Sequence, residues 1–76
     1  MHIKKHSYII LKYLSNYDTN ALIRRDQVYT QLNISEVNFN KTIAVCFAFG
    51  FTHGSKPYIG ITAKGRLYLE ELEKNL

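Results

Sequence analysis

Hydrophobic residues near the N-terminus recur with the spacing of one helix face. Leu11 and Leu14 follow Ile10 by one and four positions, and this spacing predicts a first helix over residues 3–17. The polar run "DTN" at residues 18–20 supplies turn-forming side chains that end this helix. The short apolar patch "ALIRR" that follows predicts one brief edge strand.

A second helix is predicted over residues 25–32. Val28, Tyr29 and Leu32 fall on one side of it and form its buried stripe. Asn33 follows, and asparagine tolerates the left-handed backbone conformation that commonly ends a helix. We therefore expect a tight turn directly after this segment.

A third helix is predicted over residues 36–49. Ser35 is a good N-cap, and Glu36 lies in the first turn, where the helix dipole favours a carboxylate. Gly50 is a typical helix stop. The second and third helices with their short turn thus predict a helix-turn-helix over about residues 25–49.

The last third of the chain predicts a hairpin and a closing helix. Residues 51–53 and 58–62 are two short apolar strands, and the intervening "GSKP" has the length and composition of a hairpin turn. Thr62 is placed to cap a final helix over residues 63–76. The apolar seam of that helix consists of Leu69, Leu72 and Leu76.

This order of helix, short strand, helix, turn, helix, two-stranded hairpin and helix resembles the winged helix-turn-helix family along almost the whole chain. "QLNIS" is similar to the turn between the two central helices. "YIGITAKGRLYLEEL" is similar to the second wing strand and closing helix of small prokaryotic and mobile-element winged-helix proteins. The resemblance implies one mainly α domain over residues 1–76, with a small β-hairpin wing at about residues 51–62.

The third helix carries two contrasting stripes, separated by turns of about 100° per residue. The stripe predicted to face the core consists of Phe39, Ile43, Cys46 and Phe47. The opposite stripe consists of Asn38, Lys41, Thr42, Val45 and Phe49. Three smaller apolar residues lie between the two stripes, namely Val37, Ala44 and Ala48.

The resemblance implies that the third helix enters the DNA major groove and that the wing contacts a neighbouring stretch of DNA. Its first turns carry side chains that could pair with base edges or phosphate: Asn38, Asn40 and Lys41. The basic residues expected at the DNA backbone are Lys56 on the wing, Arg24 and Arg25 at the second helix, and Lys4 and Lys5 at the N-terminus. For Lys56, Lys4 and Lys5 the competing interpretation is a purely solvated surface position, and for Arg24 and Arg25 it is an ion pair with Asp26 or a glutamate of the tail.

The later turns of the third helix lack the basic residues of a DNA-reading surface. Val45 and Phe49, with Ala48 beside them, stand there instead. Three interpretations remain open: Phe49 completes the core under the wing, the strip docks on another protein, or it contacts thymine methyl groups. We assign Val45, Ala48 and Phe49 as a candidate protein interface.

Composition narrows the functional classes. A net charge of +4 with a pI near 9.3 permits DNA binding but predicts that it is weak or non-specific for this chain alone. The chain has a single cysteine, Cys46, so no internal disulfide can form, and no signal-peptide cleavage pattern follows the basic N-terminus. We therefore expect a cytoplasmic protein without a membrane span, since no apolar run approaches the ~20 residues that a span requires.

No arrangement of residues predicts catalysis, a small-molecule substrate or a cofactor. His2 and His6 have the i, i+4 spacing of a metal pair but lie near the terminus without further ligands, so we expect no metal. No phosphate-binding glycine loop or nucleophile–base set is present either. Two functions follow: a non-catalytic winged-helix protein that binds DNA, and a small adapter that docks by the apolar face of helix three onto a larger DNA-processing protein. For useful DNA specificity we expect a larger protein partner or a homodimer, since a single small module makes few contacts.

Overall fold

The computed structural model describes residues 3–75, and this part of the chain is mainly helical. Its four helices are α1 (Ile3–Leu14), α2 (Arg25–Gln31), α3 (Glu36–Ala48) and α4 (Ala63–Lys74). Its three short strands are β1 (Ile23–Arg24), β2 (Thr52–His53) and β3 (Tyr58–Ile61). The predicted order of elements is confirmed.

The first helix ends three residues earlier than predicted, at Leu14. The hydroxyl of Ser15 donates to the carbonyl of Lys12 at 2.6 Å, and the side-chain amide of Asn16 donates to the carbonyl of Tyr13 at 3.1 Å. These side chains satisfy carbonyl groups at the helix end, so local bonds of this kind replace a further helical turn.

Both predicted N-caps are confirmed. The Ser35 hydroxyl accepts a hydrogen bond from the backbone N–H of Asn38, and the Thr62 hydroxyl accepts one from that of Gly65. Helix α3 ends at Ala48, and Gly50 follows with a φ of +79°, a conformation that glycine adopts without strain. Local sequence signals therefore determine where α3 and α4 begin and where α3 ends.

The sheet is antiparallel with the strand order β1-β3-β2. Ile23 pairs with Ile59, and Thr52 pairs with Ile61, so the predicted strand in "ALIRR" joins the edge of the hairpin. The backbone N–H of Arg25 also donates to the carbonyl of Pro57 at 2.7 Å. This bond fixes the start of α2 against the hairpin turn, where the Lys56–Pro57 peptide bond is cis.

The hydrophobic core lies where α1 packs on α3 and α4 and also contacts strand β3. The predicted core residues of α1 are completely buried, and Val28, Leu69 and Leu72 are buried as well. The buried set is completed by residues of β1, α3, β3 and the turn before α3: Ile23, Ile34, Phe39, Ile43, Ile59 and Ile61. Leu76, the predicted end of the α4 seam, lies outside the described residues.

Two predictions about α3 are wrong. Thr42, expected on the outer stripe, is fully buried, and Phe47, expected in the core, is 59% exposed. Taking Phe39 as reference, Thr42 lies about 60° to one side and Phe47 about 80° to the other. The buried arc extends toward Thr42 because its hydroxyl donates to the Asn38 carbonyl at 2.7 Å, which makes burial inexpensive. The exposed residues of α3 are therefore Glu36, Val37, Asn40, Lys41, Ala44, Phe47 and Ala48.

Arg66 joins α4 to the turn after α1, a role that the sequence did not indicate. Its guanidinium donates to the hydroxyl of Thr19 at 2.6 Å, to the carbonyl of Ser15 at 3.3 Å and to the carbonyl of Tyr17. A planar guanidinium with five donors suits three acceptors spread along one turn. Arg66 is therefore occupied with holding the turn in place.

Cys46 is completely buried, as predicted, and its Sγ lies 3.6 Å from the hydroxyl oxygen of Ser7. Burial raises the pKa of the Cys46 thiol above its ordinary value, so the reactive thiolate is suppressed. We expect a thiol reagent at pH 8 to label the folded protein more slowly than the urea-unfolded chain, by a factor on the order of 100 or more. Equal rates in native buffer and in urea would contradict the burial.

Candidate functional site

A cleft of about 470 Å³ separates α3 from the β2–β3 hairpin. The residues of α3 that line it are one helical turn apart and share a side of the helix: Asn40, Ile43, Ala44 and Phe47. The hairpin contributes Thr52, His53, Gly54, Lys56, Tyr58 and Ile59, and the start of α2 contributes Arg25. The cleft thus combines apolar side chains with a basic rim.

Arg25 is positioned by three separate contacts. Its backbone N–H bonds the Pro57 carbonyl, and its Nη2 donates to Oδ1 of Asn40 at 2.9 Å. Its guanidinium carbon also lies 5.9 Å from the ring centroid of Phe39, within the range of a cation–π contact. Arg25 therefore connects the hairpin, α2 and α3 at one point on the rim of the cleft.

The cleft is electrically positive. Arg25 and Lys56 line it, and none of its lining residues in the described part of the chain is acidic. Within residues 3–75, neither cation has a carboxylate within the 4.0 Å of an ion pair. Two unpaired cations on a concave, partly apolar surface favour an anionic ligand.

A second hollow, of about 320 Å³, lies on the other side of Arg25 and Lys56. Asp26 and Glu36 both line this hollow. Arg24 Nε is 3.2 Å from a carboxylate oxygen of Asp26, and this hydrogen bond lowers the pKa of Asp26. Because its cations are partly neutralised, the second hollow is a weaker anion site than the cleft.

The hairpin side of the cleft holds polar atoms without protein partners. The hydroxyl of Thr52 and Nε2 of His53 are buried, and neither has a hydrogen-bond partner among the described residues. An unpaired buried polar group typically costs about 1–3 kcal/mol, so such groups commonly mark places where a water or a ligand supplies the bond. Both residues line the cleft.

The structure brings three of the predicted DNA-binding residues together. Asn40, Lys56 and Arg25 line the cleft, and Arg24 lies in the adjoining hollow. Lys41 is exposed on the outward side of α3, which consists of Val37, Lys41, Ala44 and Ala48. The other three predicted contacts do not line the cleft: Asn38, which lies about 200° around the helix from Asn40, and the exposed Lys4 and Lys5 on α1.

Of the predicted protein-interface residues, Val45 and Phe49 lie on the side of α3 away from the cleft, and Ala48 lies about 40° around the helix from Ala44 of the cleft. Phe49 is 58% exposed, so its ring does not complete the core. It stacks on Phe51 with ring centroids 5.7 Å apart, and Phe51 stacks on Tyr68 at 4.2 Å. Val45 is half-buried and Ala48 is exposed.

Phe47 lines the cleft, although the sequence pattern predicts it in the core. Its position, about 40° beyond Ile43 on the helix, puts it at the edge of the buried arc rather than inside it. Two signals in the sequence could have identified Phe47 as a surface residue. One is this angle at the edge of the buried arc, and the other is the predicted hairpin, which has to pack beside α3. The ring is consequently exposed beside Arg25 and Lys56, in the same cleft.

Other kinds of site find less support in the described part of the chain. No group of three or more His, Cys, Asp or Glu side chains there is arranged to hold a metal ion. The His2–His6 pair, at which no metal is expected, includes His2, which lies outside the described residues. Within residues 3–75, no helix is both long enough and apolar enough to cross a bilayer.

No protein-family model matches the chain, and no significant match is found among curated proteins or solved structures.

Proposed function

We propose that this chain is a non-catalytic winged-helix protein that binds DNA through α3 and the β2–β3 hairpin. In this proposal α2 and α3 form the helix-turn-helix and the hairpin forms the wing. The observation that carries it is the cleft between α3 and the hairpin, where Arg25 and Lys56 line a concave surface without any carboxylate. Cations at a groove that can approach a nucleic-acid backbone provide most of the affinity in such proteins.

Arg25 is well suited to a phosphate contact. One guanidinium nitrogen is bonded to Asn40, which orients the group and leaves further N–H donors for a ligand. A guanidinium fixed in this way loses little side-chain entropy on binding, and its forked donors match two phosphate oxygens. Lys56, on the hairpin turn, supplies a second charge to the same cleft.

The remaining basic residues support sequence-independent affinity. Lys41 is exposed on α3, and Lys4 and Lys5 are exposed on α1. Lysines that remain solvated contribute through counterion release rather than through base recognition. Together with the net charge of +4, this supports weak binding with a marked salt dependence.

We expect DNA affinity to fall about 40-fold between 50 and 200 mM salt, the loss that three phosphate contacts produce. Lys56→Ala should remove one contact and reduce the slope of log affinity against log salt by about 0.9. Fluorescence anisotropy over a salt series measures both quantities. Lys74→Ala is the matched control, because it removes the same charge from the far end of α4, where Lys74 lies 3.6 Å from Glu71.

Either of two results would contradict this proposal. Nanomolar binding that does not respond to salt, or Lys56→Ala and Lys74→Ala variants with the same salt slope as the wild type, would show that the cleft is not the site. Thermal melts of both variants exclude unfolding as the cause, since substitutions of exposed residues usually change stability by less than about 0.5 kcal/mol.

An adapter that docks on a larger protein is the second candidate. The observation in its favour is the apolar character of the outward side of α3, where Val37 is 62% exposed and Ala44 and Ala48 are exposed beside it. NMR titration with an oligonucleotide distinguishes the two candidates. Shifts at Arg25, Asn40 and Lys56 support DNA binding, and an unchanged spectrum at millimolar oligonucleotide supports the adapter.

A further inference from the structure

We infer that the cleft between α3 and the hairpin receives an unpaired nucleotide, so that the protein prefers single-stranded to duplex nucleic acid. The inference rests on the proposed nucleic-acid function and specifies which form of nucleic acid the site takes. Three features support this inference. The outward side of α3 has few side chains that can read base edges, the exposed ring of Phe47 lies inside the cleft, and Arg25 and Lys56 place positive charge on its rim.

The outward side of α3 is poorly equipped to read a duplex. Readout in the major groove depends on side chains that donate to or accept from base edges. Oδ1 of Asn40 already accepts a hydrogen bond from Arg25, so one of its two lone pairs is occupied and the orientation of the amide is set by Arg25. Lys41 remains, and its exposed neighbours on this side include the apolar Val37, Ala44 and Ala48.

The cleft, by contrast, contains a ring suited to stacking. Phe47 is 59% exposed and lines the cleft beside Ile43 and Ile59. Bases stack on aromatic side chains without regard to sequence, because every base has a flat π-face. In the interior of a duplex both faces of a base are covered by its neighbours, so stacking on Phe47 favours an unpaired base.

The cations complete a site for the rest of the nucleotide. Arg25 and Lys56 line the same cleft as Phe47, so a base against the ring would bring its phosphate to a positive rim. A groove that combines rings with positive charge is the usual design of a single-strand site. The volume of about 470 Å³ also lies in the range of clefts that enclose small ligands, roughly 300–1,000 Å³.

The test compares two fluorescent probes by anisotropy in one buffer: a 12-nucleotide oligo-dT and a duplex of 12 base pairs formed from two separate strands without overhangs. We expect the wild-type protein to bind oligo-dT more tightly than the duplex. Phe47→Ala should weaken oligo-dT binding by roughly 5- to 150-fold, the loss that one base stack accounts for. Its effect on duplex binding should be less than about twofold, and Phe47→Tyr should retain most of the oligo-dT affinity because it keeps the ring.

Phe49→Ala is a closely matched control. It removes the same ring from the same end of α3, and Phe49 is 58% exposed against 59% for Phe47. Phe49 lies on the other side of the helix, outside the cleft. We therefore expect Phe49→Ala to bind oligo-dT as the wild type does, and thermal melts of the three variants establish that each is folded.

Each contrary result has a distinct meaning. Equal affinity for the two probes, or equal losses from Phe47→Ala on both probes, overturns the single-strand inference and leaves the DNA-binding proposal standing. Failure of the wild type to bind either probe overturns both. If a fluorescent acidic peptide containing tyrosine binds instead, with an affinity that Phe47→Ala reduces, the cleft is a protein-docking site and the inference is wrong.

Discussion

Phe39→Ala is expected to leave the protein largely unfolded. Phe39 is 2% exposed, its ring meets that of Tyr29 edge-to-face at 5.3 Å, and the Arg25 guanidinium lies over it. Truncation of such a ring removes its burial and leaves a cavity, at a combined cost of about 3–5 kcal/mol. A domain of 76 residues has a total stability of about 4–11 kcal/mol, so the loss takes much of it.

The measurement is a pair of thermal melts followed by circular dichroism, with Phe49→Ala as the comparison. Phe49 is exposed and loses mainly its stack on Phe51, worth about 0.5–1.5 kcal/mol. Phe49→Ala should therefore melt cooperatively and only slightly below the wild type. If the two variants lose the same stability, Phe49 belongs to the core and its exposed placement is wrong.

Gly65→Ala is expected to have an effect of similar size, through the backbone rather than through a cavity. A methyl group at this position would lie 2.1 Å from the carbonyl oxygen of Phe51 and 2.9 Å from Cγ1 of Ile61. The carbonyl oxygen of Phe51 belongs to the backbone, so it cannot move away by a rotamer change as a flexible side chain could. We expect the first turn of α4 to separate from the hairpin and the free energy of unfolding to fall by ~3 kcal/mol or more.

Urea unfolding of Gly65→Ala measures this loss directly. Leu67→Ala is the matched control, because Leu67 lies one half-turn further along α4 and is largely exposed. The control should unfold close to the wild-type midpoint, within about 0.5 kcal/mol. A Gly65→Ala variant as stable as the control would mean that α4 does not approach Phe51 as closely as described.

The order of elements could be predicted because its signals are local. Ser35 and Thr62 accept hydrogen bonds from backbone groups three residues ahead, and Gly50 adopts a conformation that other residues avoid. Such bonds are formed within one turn of chain and do not depend on distant packing. The same property explains the largest boundary error, at the end of α1, since the side-chain hydrogen bonds of Ser15 and Asn16 compete with a further turn of that helix.

The candidate site was predicted in its parts but not in its arrangement. Arg25, Asn40 and Lys56 were each identified as basic or polar candidates. Nothing in their spacing indicates that Arg25 bonds Asn40 or that its backbone bonds Pro57 beside Lys56. These contacts join separate elements, so they form only after the hairpin has packed beside α2 and α3.

By itself, the sequence determined the helices, the hairpin, most of the core and the mild positive charge, because these depend on residue type and short-range periodicity. The tertiary structure alone decided which arc of α3 is buried. Residues near the edge of a helical stripe, such as Thr42 and Phe47, are assigned to core or surface by where the neighbouring elements lie. Here α1 packs against α3 and the hairpin lies beside it, which buries Thr42 and leaves Phe47 exposed at the cleft.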